Sequence, residues 1–352
     1  MKTFDYVRPA TIADAIAASA VPGAAYLASG TNLLDLMKVG AARPDRLIDV
    51  TRLPGLDRIE RLSDGGLRIG ALVRNADLAH HPDLLRSYPP VAEALLSGAS
   101  AQLRNAATVG GNLLQRTRCP YFGDPASACN RRVPGSGCAA LEGENRLHAV
   151  LGWSSSCIAV HPSDFCVPLV ALDAIVEIEG RGGRRELPLE VLHRLPDDEP
   201  QRETALEPSD LIVAVRLPAA TAVFAEHARY LKLRERTSYA FAVVSAAAAL
   251  AKSGGRITEA RLALGGVAAK PWRARAAEEL LIGATPDEAI FRRAAEVALV
   301  DARPSGDNAF KIELARRLIV RALDEATAGS PTGLPALPAS PFSSISGARH
   351  AA

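Results

Sequence analysis

The sequence lacks the long apolar run that a membrane-spanning helix needs. No stretch of about 18 consecutive apolar residues occurs in the chain, so no membrane span is expected. Residues 1–9 also lack the apolar core of a secretory signal. By its own sequence the chain is therefore expected in the cytoplasm, or in the periplasm if a partner with a twin-arginine signal co-exports it.

Strong charge and aromatic side chains are also scarce. The formal net charge is +2, and aromatic residues make up 5% of the chain. Proteins that bind nucleic acids usually combine a basic surface with aromatic platforms for stacking bases. We therefore expect no nucleic-acid ligand. No Ser-His-Asp or Cys-His nucleophile arrangement presents itself, and no catalytic residue is predicted.

Two common cofactor patterns are missing as well. The turn that follows the apolar strand at 25–28 fails the G-x-G-x-x-G pattern, which argues against a nicotinamide-type Rossmann site there. None of the five cysteines forms a C-x₂-C pair, the spacing usual in structural zinc sites.

Two turns built from small residues are present instead. The first leads from a strand into a helix, and its residues are Ala28, Ser29, Gly30, Thr31, Asn32, Leu33 and Leu34. The second contains adjacent glycines, and its residues are Ala107, Thr108, Gly110, Gly111 and Asn112. Such turns let backbone N–H groups approach a pyrophosphate. Either turn alone is compatible with an ordinary connection, but two in one chain favour a site for a phosphate-bearing cofactor.

These turns, followed by Pro162-Ser163-Asp164, resemble the FAD-binding subunit of the xanthine dehydrogenase and molybdenum hydroxylase family over roughly residues 1–326. The resemblance implies that both turns hold the FAD diphosphate and that Ser163 and Asp164 contact the flavin side of FAD. It also implies that Lys232 lies near the flavin ring and that Tyr239 covers it. Serine occupies position 29, where the family usually has glycine, and it is small enough for the same turn at negative φ.

The resemblance implies an α+β fold. Its first part would be a PCMH-type FAD-binding domain of the vanillyl-alcohol oxidase type at 1–218, built from two α/β subdomains at about 1–58 and 59–218. An iron-sulfur insertion is expected within it at about 116–158. A C-terminal α+β domain of the CO dehydrogenase flavoprotein type is expected at 219–326, followed by a flexible tail at 327–352.

All five cysteines lie between residues 119 and 166. This segment resembles the flavin subunit of the periplasmic aldehyde oxidoreductase branch, which carries an additional [4Fe-4S] cluster. Four thiolates are the usual ligands of such a cluster, and reduced cytosolic thiols favour metal binding over disulfides. Cys166 lies in an apolar run and is predicted to be a buried thiol. The predicted ligands are Cys119, Cys129, Cys138 and Cys157.

Alternatives for this segment remain open. Structural zinc would also take four cysteines, and unrelated buried thiols are the common fate of single cysteines. The segment contains four arginines whose charge suits an anionic cluster, namely Arg116, Arg118, Arg131 and Arg132. The cluster would be either an electron relay or a structural cross-link.

The resemblance also implies a function. The chain would be the FAD-binding electron-transfer subunit of a heterotrimeric molybdenum aldehyde or xanthine-type oxidoreductase. It would pass electrons from the [2Fe-2S] clusters of a small subunit, through FAD, to an external acceptor, while a large molybdopterin-binding subunit oxidises the substrate. A stand-alone flavin oxidase of the vanillyl-alcohol type and a zinc-stabilised binding module are the alternatives.

Overall fold

A parallel three-stranded sheet begins the chain in the computed structural model, which describes residues 1–331. Its elements are β1 (Asp5–Val7), α1 (Ile12–Ala18), β2 (Ala24–Leu27), α2 (Leu33–Lys38) and β3 (Arg46–Asp49). The strand order is β1-β3-β2, and both pairings are parallel because a helix connects each successive pair of strands. Thr11 begins α1, since its hydroxyl oxygen accepts the backbone N–H of Asp14 at 3.1 Å.

A five-stranded antiparallel sheet follows. Its strands are β4 (Ile59–Arg61), β5 (Leu67–Gly70), β6 (Ile175–Gly180), β7 (Gly183–Pro188) and β8 (Leu211–Leu217), in the order β4-β5-β8-β6-β7. Its helices are α3 (Asn75–Ala79), α4 (Pro82–Ser87), α5 (Pro89–Ser97), α6 (Ala101–Ala106), α7 (Val109–Leu113), α8 (Pro120–Gly123), α9 (Cys166–Ala171) and α10 (Leu189–Leu192). The β6–β7 hairpin turns between Gly180 and Gly183, as its glycines predict.

The cysteine segment contains almost no regular structure. Between α8 and α9, residues 124–165 form only isolated bridges, Cys129 with Cys138 and Ser154 with Cys157. Side chains supply much of its order. The Arg132 guanidinium, for example, donates to the carbonyl oxygens of Tyr121 and Phe122 at 2.8 and 2.7 Å. The fold of a segment of this kind depends on such polar contacts.

The C-terminal domain places helices on one antiparallel sheet. After a 3₁₀ helix (Ala219–Phe224) come β9 (Ala228–Leu233), β10 (Val244–Ser253), β11 (Arg256–Gly265), β12 (Trp272–Arg273), α11 (Arg275–Leu281), α12 (Glu288–Ala298) and α13 (Phe310–Ala328). The strand order is β12-β11-β10-β9. Asp287 begins α12 by accepting the Ile290 N–H at 2.9 Å.

Strand β10 joins the two domains because both of its faces are buried. Ala247 and Ala249 belong to the large core built around α5, α9 and the five-stranded sheet. Ala246 and Ala248, which point to the opposite face, belong to the core under α11, α12 and α13. Alanine at these positions lets helices pack closely against either face. The helices of the N-terminal domain and the C-terminal sheet therefore share one core.

The buried side chain of Arg273 links α9 to the C-terminal domain at this junction, and replacing it should lower the free energy of unfolding. The Arg273 guanidinium donates to Asp173, just after α9, at 3.0 Å and to the buried Glu278 at 3.1 Å. In Arg273→Met the Glu278 carboxylate stays buried without its cation. We expect the free energy of unfolding to fall by about 3 kcal/mol, measured by urea denaturation. The exposed neighbour pair Arg275–Glu190 supplies the control, since Arg275→Met should cost less than about 1 kcal/mol. Equal losses would contradict the assignment.

The end of the C-terminal domain differs from the expectation of a tail from residue 327. Helix α13 continues to Ala328, and Ser330 donates its backbone N–H to the Glu226 carbonyl at 2.7 Å. The Ser330 hydroxyl also donates to the Ala228 carbonyl at 2.9 Å, so Ser330 is held at the start of β9. The rest of the predicted tail, 332–352, lies outside the described residues. Within 1–331, no helix is long and apolar enough to cross a membrane.

Candidate functional site

The main cavity lies where the two glycine turns meet the C-terminal domain. Its volume is about 620 Å³, within the roughly 300–1,000 Å³ typical of small-molecule and cofactor sites. Both turns, the Pro162-Ser163-Asp164 segment and the β9 end of the C-terminal domain line it. Residues from four separate parts of the sequence thus converge on one site.

The first turn owes its shape to Gly30. Its φ is +78°, and a Cβ there would lie 2.5 Å from Leu34 Cδ1, so no other residue fits without strain. Ser29 does not have positive φ, so serine is tolerated at this position. Asn32 accepts the Arg116 N–H at 2.9 Å with Oδ1, while its buried Nδ2 has no partner among the described residues. The Asn32 side-chain NH₂ group is therefore a hydrogen-bond donor in the cavity wall that has no acceptor among the described residues.

In the second turn, Gly110 packs against the protein, and Gly111 faces the cavity. A Cβ on Gly110 would lie 3.1 Å from the Cβ of Ala71, so this glycine lets α7 approach the strand β5 region. Gly111 lines the cavity, and the only atom within 4 Å of an added Cβ would be Thr108 Oγ1. Thr108 Oγ1 accepts the Gly111 N–H at 3.3 Å and begins α7. The missing Cβ at Gly111 therefore leaves space in the cavity for a ligand, whereas the missing Cβ at Gly110 allows close packing against Ala71.

Hydrogen bonds connect the second turn to the Ser163-Asp164 segment and to β9. Ser163 Oγ donates to Asn112 Oδ1 at 2.7 Å. Asp164 accepts Tyr230 Oη–H at 2.6 Å and Lys232 Nζ–H at 2.7 Å, and both members of the Lys232–Asp164 ion pair are buried. Lys232 therefore lies in the cavity wall, where its charge is balanced by Asp164. Its place near the flavin ring stays a prediction. The pair joins the C-terminal domain to the N-terminal domain at the cavity wall.

Removing only the cation of this pair should destabilise the protein. In Lys232→Met the Asp164 carboxylate remains buried with Tyr230 as its only strong donor. We expect a loss of about 3 kcal/mol in the free energy of unfolding, measured by urea denaturation. The double variant Lys232→Met/Asp164→Asn removes both charges and should recover part of the loss. A double variant less stable than Lys232→Met would contradict the ion-pair explanation.

Aromatic side chains stand at the mouth of the cavity. Tyr239 is 55% exposed and has φ of +50°, a left-handed conformation that a bulky residue rarely adopts. The Arg236 guanidinium lies 5.6 Å from the centre of its ring, and that of Arg118 lies 5.2 Å from the ring of Phe241. Tyr239 thus lies at the cavity mouth, and its predicted role of covering the flavin ring stays a prediction. Arg118 lines the cavity beside Phe241 rather than contacting the cysteine sulfurs.

A second, smaller cavity is lined by cysteines. Cys119, Cys129, Cys138 and Cys157 all border it, and Cys166 does not. Thr117 and Cys119 border both this cavity and the large one, so a single layer of residues separates them. The segment without regular structure thus brings together the four cysteines that the sequence predicts to act jointly.

The sulfurs of this cavity receive several hydrogen-bond donors. The His148 ring nitrogen Nε2 lies 3.2 Å from Cys119 Sγ, and the Ala159 N–H donates to Cys157 Sγ at 3.5 Å. Burial raises the pKa of Cys119 to about 11, although backbone N–H groups of Phe122 and Tyr121 oppose the shift. Burial likewise raises the pKa of Cys138. Buried thiols surrounded by N–H groups are suited to a positively charged ligand that would convert them to thiolates.

The spacing of these sulfurs disfavours zinc. Tetrahedral zinc holds thiolates about 2.3 Å from the ion, so its ligand sulfurs lie within about 4 Å of one another. In residues 1–331, no three of the four cavity cysteines bring their sulfurs within 4.8 Å of one another. A centre bound by all four sulfurs would therefore have to be larger than a single zinc ion.

Cys166 belongs to another group, formed with His161 and His193. The three offer ligand atoms within 4.8 Å of one another, and the two rings lie 4.2 Å apart. His193 Nε2 donates to the Leu113 carbonyl at 2.8 Å, and His161 Nδ1 accepts the Ser163 N–H at 3.4 Å. A neutral imidazole that accepts at Nδ1 carries its proton on Nε2, so His161 has no lone pair for a metal.

Both histidines are neutral because burial lowers the pKa of His161 well below its usual value and that of His193 to about 4. Burial raises the pKa of the Cys166 thiol to about 12. The group therefore packs α7 against the Ser163 segment and keeps Cys166 as a buried thiol.

Some cavity residues were missed by the sequence analysis. Asn75 lines the large cavity with an unpartnered buried Oδ1, and no sequence pattern marks it. Arg104 also lines the cavity and donates to the Gly98 carbonyl at 2.7 Å. It lies three residues before the second turn, and that nearness in sequence was the available signal.

Comparisons with known proteins agree with this architecture. Residues 2–220 match the FAD binding domain in molybdopterin dehydrogenase, and residues 229–326 match the CO dehydrogenase flavoprotein C-terminal domain. The chain is 51% identical over 331 residues to the aldehyde oxidoreductase FAD-binding subunit PaoB of Escherichia coli strain K12, covering 93% of this chain and 99% of that protein. It is 28% identical over 333 residues to the carbon monoxide dehydrogenase medium chain of Hydrogenophaga pseudoflava, covering 92% and 97%.

A solved structure shows the same fold. The carbon monoxide dehydrogenase of Hydrogenophaga pseudoflava superposes with a TM-score of 0.72 at 28% identity, covering 92% of this chain and 97% of that one. The predicted α+β flavoprotein fold class is thereby confirmed. The chain belongs to the family of FAD-binding subunits of the molybdenum hydroxylases, and it is an oxidoreductase subunit of the aldehyde oxidoreductase and xanthine dehydrogenase type.

Proposed function

We propose that the chain carries two redox centres, FAD in the large cavity and a [4Fe-4S] cluster in the cysteine cavity. The observation that carries this proposal is their common wall, formed by Thr117 and Cys119. Two redox cofactors separated by one layer of residues are close enough to exchange electrons. The proposed task of the protein is to hold, orient and tune them rather than to supply acid–base groups.

The residues proposed to hold FAD are those of the two turns (28–34 and 107–112), with Ser163, Asp164, Lys232 and Tyr239. When bound, FAD supplies a carrier that exchanges electrons singly or in pairs. Asn32 Nδ2 is free to donate to a phosphate oxygen, and Gly111 leaves room for the diphosphate. Tyr239 lies at the mouth, where its ring would exclude water from the flavin.

The residues proposed to hold the cluster are Cys119, Cys129, Cys138 and Cys157. Four buried thiols around one cavity, with N–H donors aimed at the sulfurs, match the ligands of a [4Fe-4S] cluster. The wide separation of the sulfurs favours this cluster over zinc.

The proposed assembly is a heterotrimer. A large molybdopterin-binding subunit would oxidise an aldehyde or N-heterocycle, and a small subunit with two [2Fe-2S] clusters would deliver the electrons to this chain. The chain would pass them to an external acceptor. The similarity to an aldehyde oxidoreductase FAD-binding subunit supports this arrangement. The complex would work in the cytoplasm, or in the periplasm if a partner with a twin-arginine signal co-exports it.

Anaerobic reduction by substrate tests the proposed electron path. Aldehyde should bleach the flavin absorption of the complete complex and leave that of the isolated chain unchanged. Isolated chain that oxidised small alcohols with its own flavin would support a stand-alone oxidase of the vanillyl-alcohol type. A colourless chain that contained zinc would support a zinc-stabilised binding module.

A further inference from the structure

One buried arginine reaches a cysteine sulfur. The side chain of Arg131 is 6% exposed, and its Nη2 lies 3.7 Å from Cys157 Sγ. Among the described residues no other arginine or lysine donates to a cysteine sulfur. Arg132 donates to backbone carbonyl groups instead, and Arg116 donates to Glu203. The four arginines of the cysteine segment therefore have different roles.

Glu203 holds this arginine in place from outside the cysteine segment. Its Oε2 accepts Arg131 Nη1–H at 2.7 Å, and its Oε1 accepts Arg116 Nε–H at 2.6 Å. Arg116 in turn stacks on the Phe122 ring at 4.4 Å. One carboxylate shared by two guanidinium groups leaves one net positive charge beside the cysteine cavity. The Arg131 side chain is buried, so its charge is weakly screened by solvent, whereas Arg116 is 32% exposed and its charge is screened more strongly.

We propose that Arg131, positioned by Glu203, raises the reduction potential of the [4Fe-4S] cluster bound at Cys157; this inference rests on the cluster proposed above. One-electron reduction adds one negative charge to the cluster, breaks no bond and transfers no proton. A buried cation that donates to a ligand sulfur stabilises the more negative, reduced form. Hydrogen bonds and net charge around the sulfurs are known determinants of cluster potentials.

Arg131 and Glu203 carry opposite charges, so neutralising each of them should shift the reduction potential of the cluster in opposite directions. Arg131→Gln removes the cation, so the ratio of reduced to oxidised cluster at a fixed potential should fall about tenfold, equivalent to about 59 mV for a one-electron couple. Glu203→Gln removes the anion and keeps an acceptor for Arg131, so the ratio should rise. Loss of packing alone would not shift the two variants in opposite directions.

The test is an EPR-monitored redox titration of the purified complex with dithionite as reductant, together with iron analysis of each variant. Arg146→Gln is the control, because it removes a positive charge from the same segment at an exposed ion pair with Glu235. Its potential should equal that of the wild type. Arg131→Lys, which keeps the charge, should recover part of the shift.

The possible outcomes distinguish a failure of the proposed role of Arg131 from a failure of the proposed cluster. Wild-type chain without cluster iron would contradict the proposed function as well. An intact cluster whose potential is unchanged in Arg131→Gln would overturn only the role of Arg131. If Arg131→Gln loses its iron, its potential cannot be measured, and the potentials of Glu203→Gln and Arg131→Lys test the inference instead. A potential in Glu203→Gln that is unchanged or lowered would then overturn the inference.

Discussion

Replacing Cys157 with serine should remove about four iron atoms from the chain and leave its FAD in place. Cys157 borders the cysteine cavity, and the hydroxyl of serine is a much poorer ligand for iron than a thiolate. The flavin site draws none of its proposed contacts from Cys157. Iron and flavin analysis of the purified complex measures both quantities in one sample.

Cys166→Ser is the matched control for this experiment. Cys166 is fully buried, lies outside the cysteine cavity and keeps its proton because burial raises its pKa to about 12. Its replacement should therefore leave the iron content unchanged. Loss of cluster iron in Cys166→Ser, with retention in Cys157→Ser, would reverse the assignment of the fourth ligand.

Replacing Gly111 with valine should release FAD from a protein that still folds. An added Cβ meets only Thr108 Oγ1, at 3.1 Å, so the new side chain extends into the cavity rather than into the core. Overpacking a close contact costs about 1–3 kcal/mol, so the Kd for FAD should rise roughly tenfold to hundredfold. Titration of the FAD-free chain, followed by flavin fluorescence, measures the change.

Gly182→Val provides a glycine outside the cavity for comparison. Gly182 lies in the β6–β7 turn, where an added Cβ meets no atom within 4 Å. We expect wild-type affinity for FAD there. If Gly111→Val bound FAD as tightly as Gly182→Val does, the second turn would not hold the diphosphate. Circular dichroism should show similar helix content for both variants, which excludes unfolding as the cause.

The sequence alone was informative where the physical cause is local. Gly30 and Gly110 mark turns because only a missing Cβ permits the conformation of the first and the close approach of the second. The hairpin at Gly180–Gly183 follows from the glycines at its turn. The four cysteines predicted to act together do line one cavity, because they lie close together in one polar segment, whereas their role as cluster ligands stays a prediction.

The contacts that join distant segments could not be predicted in this way. Lys232 was expected beside the flavin, but its pairing with Asp164 depends on how β9 packs against the FAD domain. Glu203 lies far along the chain from Arg131, and nothing near either residue indicates the other. All four arginines of the cysteine segment looked equivalent in sequence. Burial and geometry single out Arg131 because it alone is fixed against a sulfur.

The most direct test of two redox centres in this chain is an absorption spectrum of the anaerobically purified complex, with flavin and iron analysis of the same sample. We predict one FAD and about eight iron atoms per complex, since the two [2Fe-2S] clusters of the proposed partner account for about four. A broad iron–sulfur shoulder should underlie the flavin bands. Full FAD with only about four iron atoms would leave the family assignment intact and contradict the cluster in the cysteine cavity.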